Sequence, residues 1–400
     1  MLTSATISHY KSINDATLHF NRLNVIVGPN GSGKSNIMDA IYFIRDCAVD
    51  DIDTAVTKRH GIDSLRQWSR TKPYNIIIDL RYENPGGVGN YRVVLSSVKG
   101  QYRIIEEQGQ WYGEAPFSRH TGEEAARKYF STFKRAENGN VDITSNVPDV
   151  RPDRIKQIDP QELLLTLIGN RSLSIDLTPF RMLSQEIMSF SKYNIYPNTL
   201  RNPQLISRET TLREDGSNLS SVLKHINSNK RYVQNKEDIV SSLQALMPAV
   251  VDIQIKSAAG YYVPVLRVSE NDGVGAHDFN LSQISDGTLR TLGLLTAFYQ
   301  PSAPGKIGIE EPEQMIHPGA LSILFEAMES FINNSNRIHR QIFVTTHSPT
   351  LIDLFNPDDI IWAKFKKGVT ECGHINKRQL DVIKQHLFSA GELLIAEGLQ

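Results

Sequence analysis

Eight consecutive residues, Gly28-Pro29-Asn30-Gly31-Ser32-Gly33-Lys34-Ser35, have the types and spacing that hold a chain of phosphates. Glycines at 28, 31 and 33 let the backbone turn without a Cβ clash, so successive N–H groups can converge on one anion. A helix that starts here adds its positive end. Lys34 would reach the outer phosphates as a point charge, and the Ser35 hydroxyl would take one place in the octahedral shell of Mg²⁺. Asn30, Gly31, Ser32, Gly33 and Asn36 complete the residues expected along a bound nucleotide. The alternative is a glycine-rich turn that happens to end in Lys-Ser. An apolar strand before it, Leu23 to Val27, and a helical period after it, Ile37, Met38, Ile41, Tyr42 and Ile44, favour the phosphate loop.

Three later stretches carry further chemistry. Ile307-Gly308-Ile309-Glu310-Glu311 is an apolar strand that delivers two carboxylates at its C-terminal end, where parallel sheets place their ligands. Glu310 is expected to hold Mg²⁺, and Glu311 to orient or polarise the water that attacks the outermost phosphate. Ile342-Phe343-Val344-Thr345-Thr346-His347-Ser348-Pro349 is again a strand ending in polar residues, with His347 able to hydrogen-bond a phosphate oxygen. In Ile284-Ser285-Asp286-Gly287-Thr288-Leu289-Arg290, Ser285 supplies a hydroxyl and Gly287 close backbone approach at the start of a helix, a second anion site. His317, in Glu313-Gln314-Met315-Ile316-His317-Pro318, is open to a structural role or to a contact between subunits.

The elements that must position these residues follow from periodicity. Leu2 to His9 and Ala16 to Phe20 flank the small polar run Lys11-Ser12-Ile13-Asn14-Asp15, a hairpin leading into the loop strand; Tyr10 and Lys11 there are either base contacts or an ordinary turn. Tyr74 to Tyr82, Tyr91 to Val98 and Tyr102 to Glu106 predict an antiparallel meander. From Arg119 to Gln234, prolines at 148, 152, 160, 179, 197 and 203 interrupt a pattern that reads as mostly helical. A hairpin is predicted across Ala258-Ala259-Gly260, then helix, strand, helix and strand through Thr346, which imply a parallel sheet. The fold class predicted is therefore α/β, with a mixed central sheet, an antiparallel β lobe and an inserted, mainly helical lobe. Residues 1–118 and 237–400 form its body and 119–236 the insertion.

Composition narrows the classes. At 400 residues the chain exceeds what one hydrophobic core usually serves. A net charge of −1, with 43 basic and 44 acidic residues, gives no global attraction to nucleic acid or membrane. Cys47 and Cys372 are too few for a disulfide framework or a zinc site. No run approaches the ~20 apolar residues of a membrane span, and Met1 to Phe20 does not read as a signal peptide. A cytoplasmic protein is the expectation.

Taken in this order, the four motifs resemble those of ABC-type ATPases related to RecF, the SMC proteins and the OLD-like defence ATPases. The signature is in a variant form, Ser-Asp-Gly-Thr in place of the usual Ser-Gly-Gly-Gln. Glu310-Glu311-Pro312-Glu313 and Thr346-His347-Ser348-Pro349 look most like the compact branch without coiled-coil arms. Glu310 stands where most relatives carry Asp. The resemblance implies ATP and Mg²⁺ as ligands, and a glutamine linking metal to the inserted lobe, for which Gln67 is the best match. It also implies a homodimer or higher oligomer in which the signature of one subunit completes the nucleotide site of another. No TOPRIM nuclease domain is recognisable, although Glu392 to Gly398 faintly echoes the start of one.

Several uses of such an ATPase remain open. One is a RecF- or SMC-like clamp on DNA, with basic clusters at Arg127-Lys128, Lys134-Arg135, Lys230-Arg231 and Lys364 to Lys367 touching phosphates. Another is a sensor or scaffold that works beside a separate nuclease effector, as in anti-phage defence. A transport ATPase and a small-molecule kinase fit the signature less well.

Overall fold

In the computed structural model, residues 1–69, 74–98, 100–114, 128–147, 157–169, 178–270, 275–333 and 340–400 are described. The segment Arg119 to Arg127, Pro148 and Pro152 lie outside them. In chain order the strands are β1 Leu2–Tyr10, β2 Ile13–His19, β3 Leu23–Val27, β4 Ile76–Asn84, β5 Gly87–Val98, β6 Gln101–Glu114, β7 Lys128–Ala136, β8 Val141–Ser145, β9 Phe190–Tyr193, β10 Gln204–Leu205, β11 Val250–Ala258, β12 Tyr261–Ser269, β13 Ala276–Asn280, β14 Lys306–Glu310, β15 Gln341–Thr346, β16 Ile360–Lys366 and β17 Val369–His374. They fall into two compact units.

The first unit, Met1–Phe190 with Pro357–Phe388 and Glu397–Gln400, is built on strands in the order β8-β7-β6-β5-β4-β1-β2-β17-β16-β3. From β8 to β2 every neighbour is antiparallel, the expected meander extended by two strands. The loop strand β3 pairs in parallel with β16, Val25 opposite Ile360, and β17 joins β2 in parallel where Thr370 meets Ile13. All five residues of β3 are buried, as an apolar run between layers requires. The helix Lys34–Val49 follows the loop and buries Ile37, Met38, Ile41, Tyr42 and Ile44, the helical face read from the sequence.

Strands β7 and β8 lie in the span that the sequence pattern assigns to helix. The reason is that β7 turns Ser131, Phe133 and Arg135 inward, so two of its three core positions are polar and the apolar alternation is hidden. Helices fill part of the remaining described span, at Leu164–Gly169, Thr178–Met188, Pro197–Arg201 and Leu219–Ser228, and the short β9 and β10 lie between them. The break between the units, after Phe190, falls within that same span.

The second unit is Ser191–Asn356 with Ser389–Ala396. Its β14 and β15 are parallel, Ile307 opposite Ile342 and Glu310 opposite Thr345, and β9 lies on the other side of β14. A separate sheet pairs β11 with β12 across the predicted turn at Ala259-Gly260, with β10 and β13 on the far edge of β12. The helices Asp286–Tyr299 and Leu321–Asn333 bury Leu292, Leu295, Leu324 and Met328. Residues Glu392 to Ala396 belong to a terminal helix, Ala390–Ala396. Among the described residues no helix is long and apolar enough to cross a membrane.

Candidate functional site

The phosphate loop lies in the first unit. Gly33 has a φ of 96° and caps the helix Lys34–Val49 without a side chain; a Cβ there would stand 2.0 Å from Thr370 Oγ1. At Gly28 a Cβ would stand 2.1 Å from the carbonyl oxygen of Ala363 on β16. Only glycine permits either contact. The N–H groups of Gly31, Gly33 and Ser35 meet no acceptor among the described residues. Lys34 is 5% exposed and lays its ammonium over its own loop, donating to the carbonyls of Gly28 at 2.8 Å and Pro29 at 3.1 Å. Unspent donors around a folded-back cation make an anion cradle.

Behind the loop runs a chain of hydroxyls that the sequence did not reveal. Asn36 Nδ2 donates to Ser12 Oγ at 2.7 Å, Ser12 Oγ meets Thr370 Oγ1 at 2.7 Å, and Thr370 Oγ1 donates to the carbonyl of Ser32 at 3.0 Å. Since the single Thr370 proton goes to Ser32, Ser12 must donate to Thr370, and the order of donors is fixed from end to end. The Asn36 side chain is thereby committed to Ser12. A second tie holds the helix from its flank: Asp39 accepts from Tyr10 Oη at 2.7 Å and pairs with Lys11 at 2.6 Å and Arg59 at 2.9 Å. Burial pushes the Asp39 carboxyl up, but Arg59 and Lys11 outweigh it and hold the group below its usual range. Tyr10 is fully buried, so the base-contact option fails for it: its ring belongs to the core and its hydroxyl to Asp39.

Gln67 leaves the helical turn Ile62–Leu65 with its N–H on the carbonyl of His9 at 2.9 Å. Its side chain is buried, and Oε1 meets no donor among the described residues. A buried amide oxygen kept without a donor suits a hard cation. The free N–H groups, Lys34 and this oxygen fit a nucleotide triphosphate with its metal. When bound, that metal would supply charge to the phosphates and a site for water.

The acidic strand, the histidine and the signature lie in the second unit. Glu310 Oε1 is 2.6 Å from Lys192 Nζ, so an ammonium already neutralises the carboxylate expected to hold metal. Glu311 takes a left-handed φ of 45° and donates its N–H to the carbonyl of Thr345 at 2.8 Å. Its Oε1 lies 3.4 Å from His347 Nδ1, and its Oε2 accepts from Gln314 Nε2. Ser285 caps the signature helix by accepting from Thr288 N at 3.3 Å, and a Cβ on Gly287 would stand 2.6 Å from the Met315 carbonyl oxygen. Arg290, one turn on and 1% exposed, donates to the carbonyls of Ile195, Glu310 and Glu311 at 3.1, 3.4 and 3.1 Å. Signature and acidic turn are therefore locked together. The exposed His317 accepts from Gly319 N and caps the short turn Pro318–Ala320.

The basic clusters fare unevenly. Arg135 is fully buried and donates to the carbonyls of Ile104, Asp159 and Pro160, which removes it from any surface; Lys134 pairs with Glu106 at 2.9 Å. The buried guanidinium ties β7 to the chain at Asp159 and Pro160, beyond the ladders that pair it with β6 and β8. Lys230, Arg231, Lys366 and Lys367 stay exposed, and Arg127 lies outside the described residues.

Residues 23–353 match the family described as "AAA domain, putative AbiEii toxin, Type IV TA system". An ATP/GTP phosphatase of Helicobacter pylori is 22% identical over 392 residues, 91% of this chain and 89% of that protein. The DNA replication and repair protein RecF of Psychromonas ingrahamii is 52% identical over 44 residues, 11% of this chain and only 12% of the RecF length. Among solved structures, an SMC head bound to the C-winged helix domain of ScpA superposes with a TM-score of 0.51 at 13% identity, covering 94% of this chain and 98% of that one, a likeness of fold. The chain belongs to this AAA-domain family, and its fold is that of an ABC-type ATPase head.

Proposed function

We propose that the protein binds ATP with Mg²⁺ and hydrolyses it. The observation that carries this reading is the cradle of free N–H groups around Lys34. In it Lys34 and the loop amides hold the phosphates, and Ser35, Gln67 and Glu310 serve the metal. Glu311 orients the attacking water, and His347 touches the outermost phosphate. Two copies share each nucleotide, the Ser285 and Gly287 end of one signature helix meeting the phosphates held by the other copy. ATP then joins the copies, and hydrolysis parts them.

The ATPase cycle controls a nucleic-acid-directed process, in our reading as the sensor subunit of an anti-phage system whose nuclease is a separate protein. The family description, which names a toxin system, supports this. The short RecF matches favour a second reading, a DNA-repair clamp. The Lys192–Glu310 pair favours a third, an ATP-stabilised scaffold with little turnover. ATPase assays with and without DNA separate them. Strong stimulation by DNA supports the clamp, indifference with measurable turnover supports the sensor, and tight ATP binding without turnover supports the scaffold. No ATP binding in the wild-type protein would defeat all three.

A further inference from the structure

Three residues beyond the end of β14, a carboxylate does work that none of the motifs assigns. The turn is tight: Glu311 and Met315 both take left-handed φ, 45° and 63°, and the N–H groups of Gln314 and Ile316 donate back to the carbonyls of Glu311 and Glu313 at 3.1 Å. Non-glycine residues hold that conformation only when their surroundings impose it. The result is that Glu313 reaches the end of β15. Its Oε1 accepts from Thr346 Oγ1 at 2.5 Å and from the backbone N–H of His347 at 3.2 Å, and lies 3.6 Å from His347 Nδ1. Thr346 Oγ1 in turn accepts from the N–H of Ser348 at 3.0 Å. One carboxylate oxygen thus fixes the backbone on both sides of the histidine.

The same carboxylate is out of water. The Glu313 side chain is 10% exposed, and its Oε2 is buried with no donor among the described residues. A buried carboxylate with one oxygen unpaired is unfavourable, and so are two left-handed residues in one turn. A neutral residue would tie the two strand ends at less cost. What the charge adds is its effect on the ring: Nδ1 of His347 faces two carboxylate oxygens, Glu311 at 3.4 Å and Glu313 at 3.6 Å. A neutral ring so placed carries its N–H at Nδ1 rather than Nε2, which leaves Nε2 as the nitrogen for a ligand.

We infer that Glu313 is a positioning residue for His347, fixing its backbone through Oε1 and its ring through the Nδ1 proton. Only the kinetic half of the test rests on the ATPase reading. Without nucleotide, ¹⁵N spectra of histidine-labelled protein should show His347 as the Nδ1–H tautomer in the wild type and as a tautomer mixture in E313A. With ATP, E313A should lower kcat about tenfold and leave KM within about twofold. The double variant E313A/H347A should be no slower than H347A, because Glu313 acts through the histidine. E313Q keeps an oxygen acceptor while removing the charge; it should fold if E313A does not, and it should show the same tautomer mixture. An unchanged His347 spectrum in both variants overturns the inference, as does a further tenfold loss in the H347A background. If the wild type hydrolyses no ATP, the ATPase reading falls and the spectrum alone decides the role of Glu313.

Discussion

Lys34 rests on two carbonyl oxygens at 2.8 and 3.1 Å, so an incoming phosphate chain replaces neutral dipoles with full charges. Lys34→Ala should therefore abolish measurable ATP binding in a fluorescent-nucleotide titration; unchanged affinity would place the nucleotide elsewhere. Glu311→Gln keeps shape and loses basicity. It should bind ATP normally, hydrolyse it about 10²–10⁴-fold more slowly, and accumulate dimers by light scattering. Glu107 makes a prediction of another kind. It is fully buried, and burial pushes its carboxyl from 4.5 up to about 7 despite hydrogen bonds from the N–H groups of Leu164 and Leu165 and from Tyr91 Oη. Between those two values the folded protein holds a proton that the unfolded chain has released, so stability falls as pH rises through that window, by about 3 kcal/mol in all. Urea unfolding at pH 5 and pH 8 should show the fall in the wild type and a flatter dependence in Glu107→Gln.

At the scale of elements, the loop is only as rigid as the strand behind it. Thr370 on β17 is 2% exposed and joins Ser12 to the Ser32 carbonyl. Thr370→Val keeps the volume and strands both partners, which should lower the unfolding free energy by about 1–3 kcal/mol and weaken ATP binding in parallel. Equal ATP affinity in that variant would show that the hydroxyl chain does not shape the cradle. This element also marks how far the sequence could be read. The loop, β3 and its helix were legible because glycine spacing and apolar period are local signals. Thr370 was not, since a threonine in an unremarkable tail gains its role only when β17 is set beside β2. The polar inward face of β7 was hidden for the same reason: Arg135 looks like surface charge until the carbonyls of Ile104, Asp159 and Pro160 are brought around it. Glu313 stood in a run that was noticed, yet its reach to Thr346 depends on two left-handed residues that no spacing rule foretells.

For the whole molecule, one phosphate loop and one signature per chain lead us to expect association that depends on ATP. Light scattering of Glu311→Gln should report a monomer without nucleotide and a dimer with ATP, and the Ser285→Arg variant should bind ATP yet stay monomeric. A Ser285→Arg protein that still dimerises would remove the signature from the shared contact. The four motifs that name the family were legible because each is a short local run. The company each keeps within its unit was not: Arg290 with the acidic turn and Lys192 with Glu310 are joined by folding, not by sequence.

The family match ends at residue 353, yet β16 is the strand paired with β3 and β17 carries the Thr370 that buttresses Ser32. A ribosome reading this message makes the phosphate loop early and its support late. Until Thr370 has emerged, the nascent loop lacks its backing, and a fragment cut at the family boundary would carry the complete motif set on an unbraced cradle.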